Sequence, residues 1–76
     1  MVSVNIMLNT INDVKNFVNI VSKYDFEVDL TSGRYVIDAK SIMGIFSLDL
    51  SKSIKLDAGC EEDSKFMEEI KPFIVE

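Results

Sequence analysis

The spacing of the apolar residues changes several times along this chain, and that change constrains the fold more than any other feature. Val2, Val4, Ile6 and Leu8 occupy every second position, a period of two that predicts a half-buried strand and not a signal peptide. Over about 11–23 the spacing becomes helical. One apolar face is then predicted on the first helix, formed by Ile11, Val14, Phe17, Val18 and Val21.

The same patterns continue to the end of the chain. Strands are predicted over 24–30, 34–39 and 54–58, with a turn at 31–33. Ser41 is placed to cap a short helix that reaches about residue 48. A last helix is predicted from the acidic residues 61–63 to Lys71, because Pro72 cannot continue it.

This order, βαββαβα, predicts an α+β fold in a single domain over residues 1–76. One four-stranded, largely antiparallel sheet is expected, covered on one face by three helices. Alternation along the strands directs charged side chains to the other, solvated face. These residues are Glu27, Asp29, Arg34, Asp38, Lys55 and Asp57.

Composition excludes several function classes. The chain of 76 residues carries a net charge of −5, which argues against direct nucleic-acid binding. It has no run long enough for a membrane span, and its single cysteine favours a reducing, cytoplasmic compartment. The absence of histidine removes imidazole chemistry and the commonest transition-metal ligand, so we expect no metal, no cofactor and no enzymatic activity.

The stretch AKSIMGIFSLDLSKS, residues 39–53, leaves two interpretations open. Its helical wheel places Ile45 and Leu48 inward, and its apolar arc is wider than a short helix on a sheet can bury. Ile42, Met43 and Phe46 therefore form either an exposed edge suited to protein recognition or part of the core. Ser41 is predicted as the N-cap, and a phosphate on it would lie at a helix N-terminus.

The segment SKYDFEVDLTSGRYVIDAKSIMGIFSLDLSKS, residues 22–53, closely resembles HPr, the phosphocarrier of the bacterial sugar phosphotransferase system (PTS). SKYD, then KSIMG followed by SL, carry the resemblance, and the element order extends it over the whole chain. It implies an HPr-like open-faced β-sandwich. Members carry a Gly-hydrophobic-His-Ala-Arg-Pro run, whose His accepts phosphate from enzyme I and passes it to sugar-specific domains.

That catalytic run is not present here. Counting back from SKYD without gaps, Thr10 stands in place of the His, Asn12 in place of the Arg and Asp13 in place of the Pro. A threonine would form a stable ester, the lost arginine removes a bidentate phosphate ligand, and Asp13 repels a dianion. Thr10 and Asp13 instead form a variant of the capping box. The segment is therefore predicted to be architectural, and the chain to be silent as a His phosphocarrier.

The KSIMG motif is retained, and the resemblance assigns to Ser41 the regulatory phosphorylation seen in Gram-positive HPr. The partners it implies are PTS components, HPr kinase/phosphorylase or a transcription regulator of catabolite repression. Docking is expected through Ile42, Met43 and Phe46, with Asn12 and Lys15 beside them. Asp49 departs from the family by replacing a Gly after SL. The alternatives are a structural or divergent paralogue without PTS partners, and a phosphocarrier with an unusual acceptor such as Thr10.

Overall fold

The computed structural model describes residues 1–75. Along the chain it forms β1 (Val2–Ile6), α1 (Ile11–Val21), β2 (Val28–Ser32), β3 (Tyr35–Asp38), α2 (Ile42–Phe46), β4 (Ile54–Ala58), α3 (Lys65–Ile70), a 3-10 turn (Lys71–Phe73) and β5 (Ile74–Val75). The predicted α+β fold and element order are confirmed. No helix among residues 1–75 is both long enough and apolar enough to cross a membrane.

The strands form one antiparallel sheet in the order β3-β2-β4-β1-β5. Central β4 pairs with β2 on one side and with β1 on the other, with Leu56 opposite Leu30 and Val4. The helices contact each other as well as the sheet: α1 packs against both α2 and α3. The chain therefore has one apolar layer between sheet and helices, and β3 and β5 are left as edges.

Among residues 1–75, sixteen hydrophobic residues are buried, and most come from the inward positions of the predicted patterns. Val14, Phe17 and Val21 are the buried positions of α1, as its helical period requires. Ile45 and Leu48 are buried as predicted. An aromatic cluster packs against the core. Its rings, Tyr24, Phe26 and Phe66, have centroids 5.2 to 5.3 Å apart.

The sheet has five strands where four were predicted. The additional strand, β5, contains only Ile74 and Val75, which pair with Ile6 and Asn5 of β1. Two residues are too few to show a period, and the pairing exists because the 3-10 turn at Pro72 directs the chain back to β1, where Met7 N–H donates to the Phe73 carbonyl at 2.8 Å. The prediction that Pro72 ends the last helix near Lys71 is confirmed.

Several predicted boundaries were wrong by a few residues. β2 starts at Val28, because Tyr24 and Phe26 pack into the aromatic cluster and not on the sheet. It ends at Ser32, so that Gly33 and Arg34 alone connect β2 to β3. Gly33 has φ of +60°, as the first residue of a two-residue hairpin loop often requires.

The helix boundaries differ in the same way. α1 ends at Val21 instead of 23, and α2 ends at Phe46 instead of 48. α3 begins at Lys65, not at the acidic residues 61–63, because the Ser64 hydroxyl accepts from the Met67 N–H and so caps the helix there. β1 ends at Ile6, two residues before Leu8, and Leu8 is nevertheless buried in the core.

Candidate functional site

Two neighbouring helices begin with a hydroxyl N-cap: Thr10 at α1 and Ser41 at α2. Both caps have extended backbone angles and exposed side chains, as helix N-caps commonly do. α1 packs against α2. The Thr10 segment, which stands in place of the HPr catalytic run, and the KSIMG motif therefore lie on adjoining helices. The surroundings of the two hydroxyls differ and decide which chemistry each can support.

At α1 the cap consists of two hydrogen bonds. The Asp13 N–H donates to Thr10 Oγ1 at 3.0 Å, while Asp13 Oδ2 accepts from the Asn9 N–H at 3.1 Å. Thr10 caps the helix as predicted, and Asp13 stands at the position that Glu or Gln usually holds in a capping box. The return bond goes to the residue before the cap, so one unpaired donor of the helix, the Asp13 N–H, and one donor of the preceding loop, the Asn9 N–H, are satisfied in this way. The Thr10 segment is thus a complete helix start.

The charge at this cap is unsuited to holding a phosphate. Asp13 brings a carboxylate next to Thr10, and the neighbouring Asn12 side chain is neutral and exposed. The only arginine of the chain, Arg34, lies in the hairpin loop between β2 and β3. Without a guanidinium, a phosphate on Thr10 would lack the bidentate partner that makes anion binding strong.

At α2 the cap is a single bond with open surroundings. Ser41 Oγ accepts from the Gly44 N–H at 3.2 Å, and the Ser41 N–H donates to the Asp38 carbonyl at 2.9 Å. Gly44 allows this close packing: a Cβ there would lie 3.1 Å from Ser41 Oγ and 3.3 Å from Ile37 Cδ1. The hydroxyl of Ser41 is therefore fixed at an exposed position by its own helix and by β3.

Apolar side chains project from α2 into solvent next to Ser41. Met43 is 76% exposed and Phe46 is 40% exposed, whereas Ile42 is half-buried against the core. Residues 43 and 46 are one helical turn apart and share one side of the helix. Of the two interpretations that the sequence left open, the exposed edge therefore describes Met43 and Phe46, and it describes Ile42 only in part. That these three residues dock a partner stays a prediction.

Ile11 was wrongly predicted to belong to the buried face of α1. It is 63% exposed, and it is the first residue of the helix, one position after the Thr10 cap. Asn12 and Lys15 are exposed on the same helix. Apolar periodicity alone cannot distinguish a residue at the end of a helix from one in its interior. The sequence signal that indicates the exposure of Ile11 is its position at the helix start, directly after the N-cap.

We use the term α2 docking surface for the side chains of Ile42, Met43 and Phe46. Near its C-terminal end, Asp49 accepts hydrogen bonds from the Ser51 hydroxyl and backbone N–H, at 2.6 and 3.0 Å. These bonds lower the pKa of Asp49 below its ordinary value. Asp49 also borders a surface cavity with Arg34, Tyr35 and Lys52. Both negative and positive side chains therefore lie near the C-terminal end of α2.

Comparison with known proteins identifies the family. Residues 13–76 match the model of the PTS HPr component phosphorylation site. The chain belongs to this HPr family. The match begins at Asp13, so that Thr10 lies outside the matched HPr residues. No curated protein matches the chain in sequence.

Solved HPr structures share the fold. The HPr-C-His protein of Thermoanaerobacter tengcongensis superposes with a TM-score of 0.77 at 25% identity, covering 95% of this chain and 89% of that one. HPr of Bacillus anthracis gives 0.72 at 17% identity, with 97% and 96% covered. The Crh catabolite repression protein of Bacillus subtilis, described as a domain-swapped dimer, gives 0.63 at 21% identity, with 93% and 88% covered. The HPr family is the phosphocarrier family of the PTS.

Proposed function

We propose that this HPr-family chain is a regulatory, partner-binding module that carries no phosphate on histidine. The observation that carries the proposal is the exposure of Met43 and Phe46 on the helix that Ser41 caps. Exposed Met and Phe on a structured element suit protein recognition, because Met adapts its shape and an aromatic ring buries much area at low entropic cost. Asn12, Lys15 and the exposed Ile11 extend the α2 docking surface on the adjoining helix.

The composition of the Thr10 segment supports the loss of carrier function. Phosphate relay in this family needs an imidazole, and the chain contains no histidine at any position. Thr10 Oγ1 already accepts from the Asp13 N–H of α1, and the Asp13 carboxylate already accepts from the Asn9 N–H. A carboxylate within the same helical turn also opposes a phosphoryl dianion on Thr10.

Ser41 is the proposed regulatory site. Phosphorylation would add close to two negative charges and three strong acceptors beside the α2 docking surface. A partner that presents an arginine there would bind the modified form more tightly, and an apolar partner would bind it less tightly. The proposed partners are HPr kinase/phosphorylase, a transcription regulator of catabolite repression or other PTS components, in the cytoplasm.

Incubation with ATP and HPr kinase/phosphorylase tests the proposal. We expect one phosphate per chain, mapped by mass spectrometry to Ser41, and none on the Ser41→Ala variant. Ser47→Ala is the matched control, because Ser47 is an exposed serine at the opposite end of α2 and its hydroxyl donates to the Gly44 carbonyl. Labelling that persists in Ser41→Ala would contradict the regulatory assignment.

A second outcome favours the alternative functions. If the chain is neither phosphorylated nor bound by any PTS protein, it is a structural or divergent paralogue. Acid-stable label on Thr10 after incubation with phosphoenolpyruvate and enzyme I would instead indicate an unusual acceptor, which the exposure of Thr10 permits sterically.

A further inference from the structure

Strand β3 is a free edge of the sheet. It pairs with β2 on one side only, and it is the first strand in the order β3-β2-β4-β1-β5. Two of its large apolar side chains are exposed, Tyr35 at 71% and Val36 at 65%. Free edges with apolar side chains are templates for pairing with another strand, and natural proteins usually protect them. In β3 the only charged strand residue is Asp38 at its end.

The backbone direction at this edge follows from one hydrogen bond. The Ala39 N–H donates to the Val28 carbonyl at 2.9 Å, which makes 39 and 28 a hydrogen-bonded pair. Because such pairs alternate along an antiparallel ladder, residues 37 and 35 also direct their backbone groups toward β2. The N–H and C=O of Val36, and the N–H of Asp38, therefore point away from the sheet.

Negative charges lie side by side at this edge. Asp38 stands opposite Asp29 on β2, and Asp29 stands opposite Asp57 on β4, so three carboxylates form a row that ends at the free edge. Of the three carboxylates only the innermost, Asp57, has an ion-pair partner among residues 1–75, Lys55 at 4.0 Å. Like charges directly opposite each other destabilise a sheet. Arg34, just before β3, borders the cavity near Asp49 but forms no ion pair among residues 1–75.

We propose that β3 pairs antiparallel with β3 of a second copy of this chain, with Val36 opposite Val36 of the partner subunit. The two strands can form hydrogen bonds only where their outward-pointing backbone groups meet. An outward-pointing residue of one β3 must therefore lie opposite an outward-pointing residue of the other. The proposed register sets Arg34 opposite Asp38 of the partner subunit, and Asp38 opposite Arg34 of the partner subunit. A shift by two residues in one direction sets Arg34 against Lys40 of the partner subunit, and in the other direction it removes both ion pairs.

The side chains on both faces are complementary in this register. On the solvated face, two Arg–Asp pairs flank a valine pair, and each arginine lies at the end of the carboxylate row. On the face that carries the helices, Tyr35 lies opposite Ile37 of the partner subunit. A two-fold axis perpendicular to the sheet leaves both helix layers on the same side and extends five strands to ten. The interface is short, because β3 has four residues, so we expect weak association.

Sedimentation equilibrium over a range of concentrations tests this pairing through charge reversal. Arg34→Glu and Asp38→Arg each replace two attractive pairs with two repulsive ones, and we expect each to raise the dimer dissociation constant at least about tenfold. An equimolar mixture of the two variants restores both pairs between unlike chains, and therefore restores association. Lys71→Glu and Asp63→Arg, at exposed positions outside the sheet, are the matched controls and should associate as the unaltered chain does.

Two results would overturn the proposal. One is a chain that stays monomeric at millimolar concentration, and the other is association that persists unchanged in both Arg34→Glu and Asp38→Arg, as a domain-swapped dimer would show. A supporting result is slowed hydrogen exchange of the Val36 N–H as concentration rises. These readouts do not involve Ser41 or the α2 docking surface, so the result is independent of the proposed regulatory function.

Discussion

The N-termini of α1 and α2 use the same capping device and present different surfaces. At α1, Thr10 Oγ1 accepts from the Asp13 N–H, the Asp13 carboxylate accepts from the Asn9 N–H, and the cap carries a negative charge. At α2, Ser41 makes one cap bond to Gly44, and the next exposed side chain is apolar Met43. A hydroxyl at a helix start is thus a structural feature by default, and its neighbours decide whether it can also serve as a site.

The largest expected effect is the loss of partner binding when the apolar side chains of α2 are changed. Changing Met43 and Phe46 together to Asp should weaken binding of HPr kinase/phosphorylase about 1,000-fold, because exposed apolar anchors of an interface contribute roughly 2 kcal/mol each. Isothermal titration calorimetry measures the change. Val36→Asp introduces the same charge at an exposed apolar residue of β3 and should bind normally. Equal weakening by Val36→Asp would contradict a surface centred on α2.

The next largest effect is expected in the free energy of unfolding, when the N-cap of α1 is changed. Thr10→Ala removes the acceptor of the Asp13 N–H and should lower the free energy of unfolding by about 1 kcal/mol, within the usual range for N-caps. Thr10→Ser keeps an acceptor and should recover most of the loss. Urea denaturation gives both values. Phosphorylation of Ser41 should be unchanged in each variant, and a parallel loss of labelling would show that the two caps are not separable.

The opposite end of α1 supplies a pH test. Glu69 on α3 accepts from Lys23 Nζ at 2.8 Å and from the Tyr24 hydroxyl at 2.7 Å, and these bonds lower its pKa from 4.5. A carboxyl with a lowered folded pKa contributes stability above its unfolded pKa and loses it as pH falls through the folded value.

Unfolding of the unaltered chain should therefore become easier below about pH 4.5, and Glu69→Gln should flatten that dependence. Thermal unfolding between pH 3 and 7 measures it, with Glu68→Gln, an exposed neighbour in α3, as the control. An identical acid dependence in Glu69→Gln and the unaltered chain would show that this network does not hold α1 to α3. Ser41 labelling at neutral pH should not change.

The smallest expected effect is at Gly44. Alanine gains about 1 kcal/mol of helix propensity over glycine, but its Cβ would crowd Ser41 Oγ and Ile37 Cδ1. The two terms oppose each other, so Gly44→Ala should change the free energy of unfolding by about 0.5 kcal/mol or less. It should slow Ser41 phosphorylation more visibly, because the hydroxyl must move. Unchanged labelling kinetics would mean that the position of Ser41 against Gly44 does not matter to the kinase.

The sequence predicted what depends on local periodicity and capping. The strand at 54–58, the Thr10–Asp13 cap and the inward positions Ile45 and Leu48 follow from spacing alone. It missed what depends on tertiary contacts: β5 exists only through its pairing with β1, and Tyr24 and Phe26 belong to an aromatic cluster and not to a strand. Ile11 has the spacing of a core residue but is exposed at the first position of α1.

The most direct test of the central claim is phosphotransfer from phosphoenolpyruvate through enzyme I, followed by mass spectrometry of the intact chain. A His-containing HPr in a parallel reaction shows that the enzyme is active. The account predicts no phosphate on this chain in that reaction, together with full modification of Ser41 by ATP and HPr kinase/phosphorylase. Phosphate acquired from enzyme I, on Thr10 or on any other residue, would contradict it.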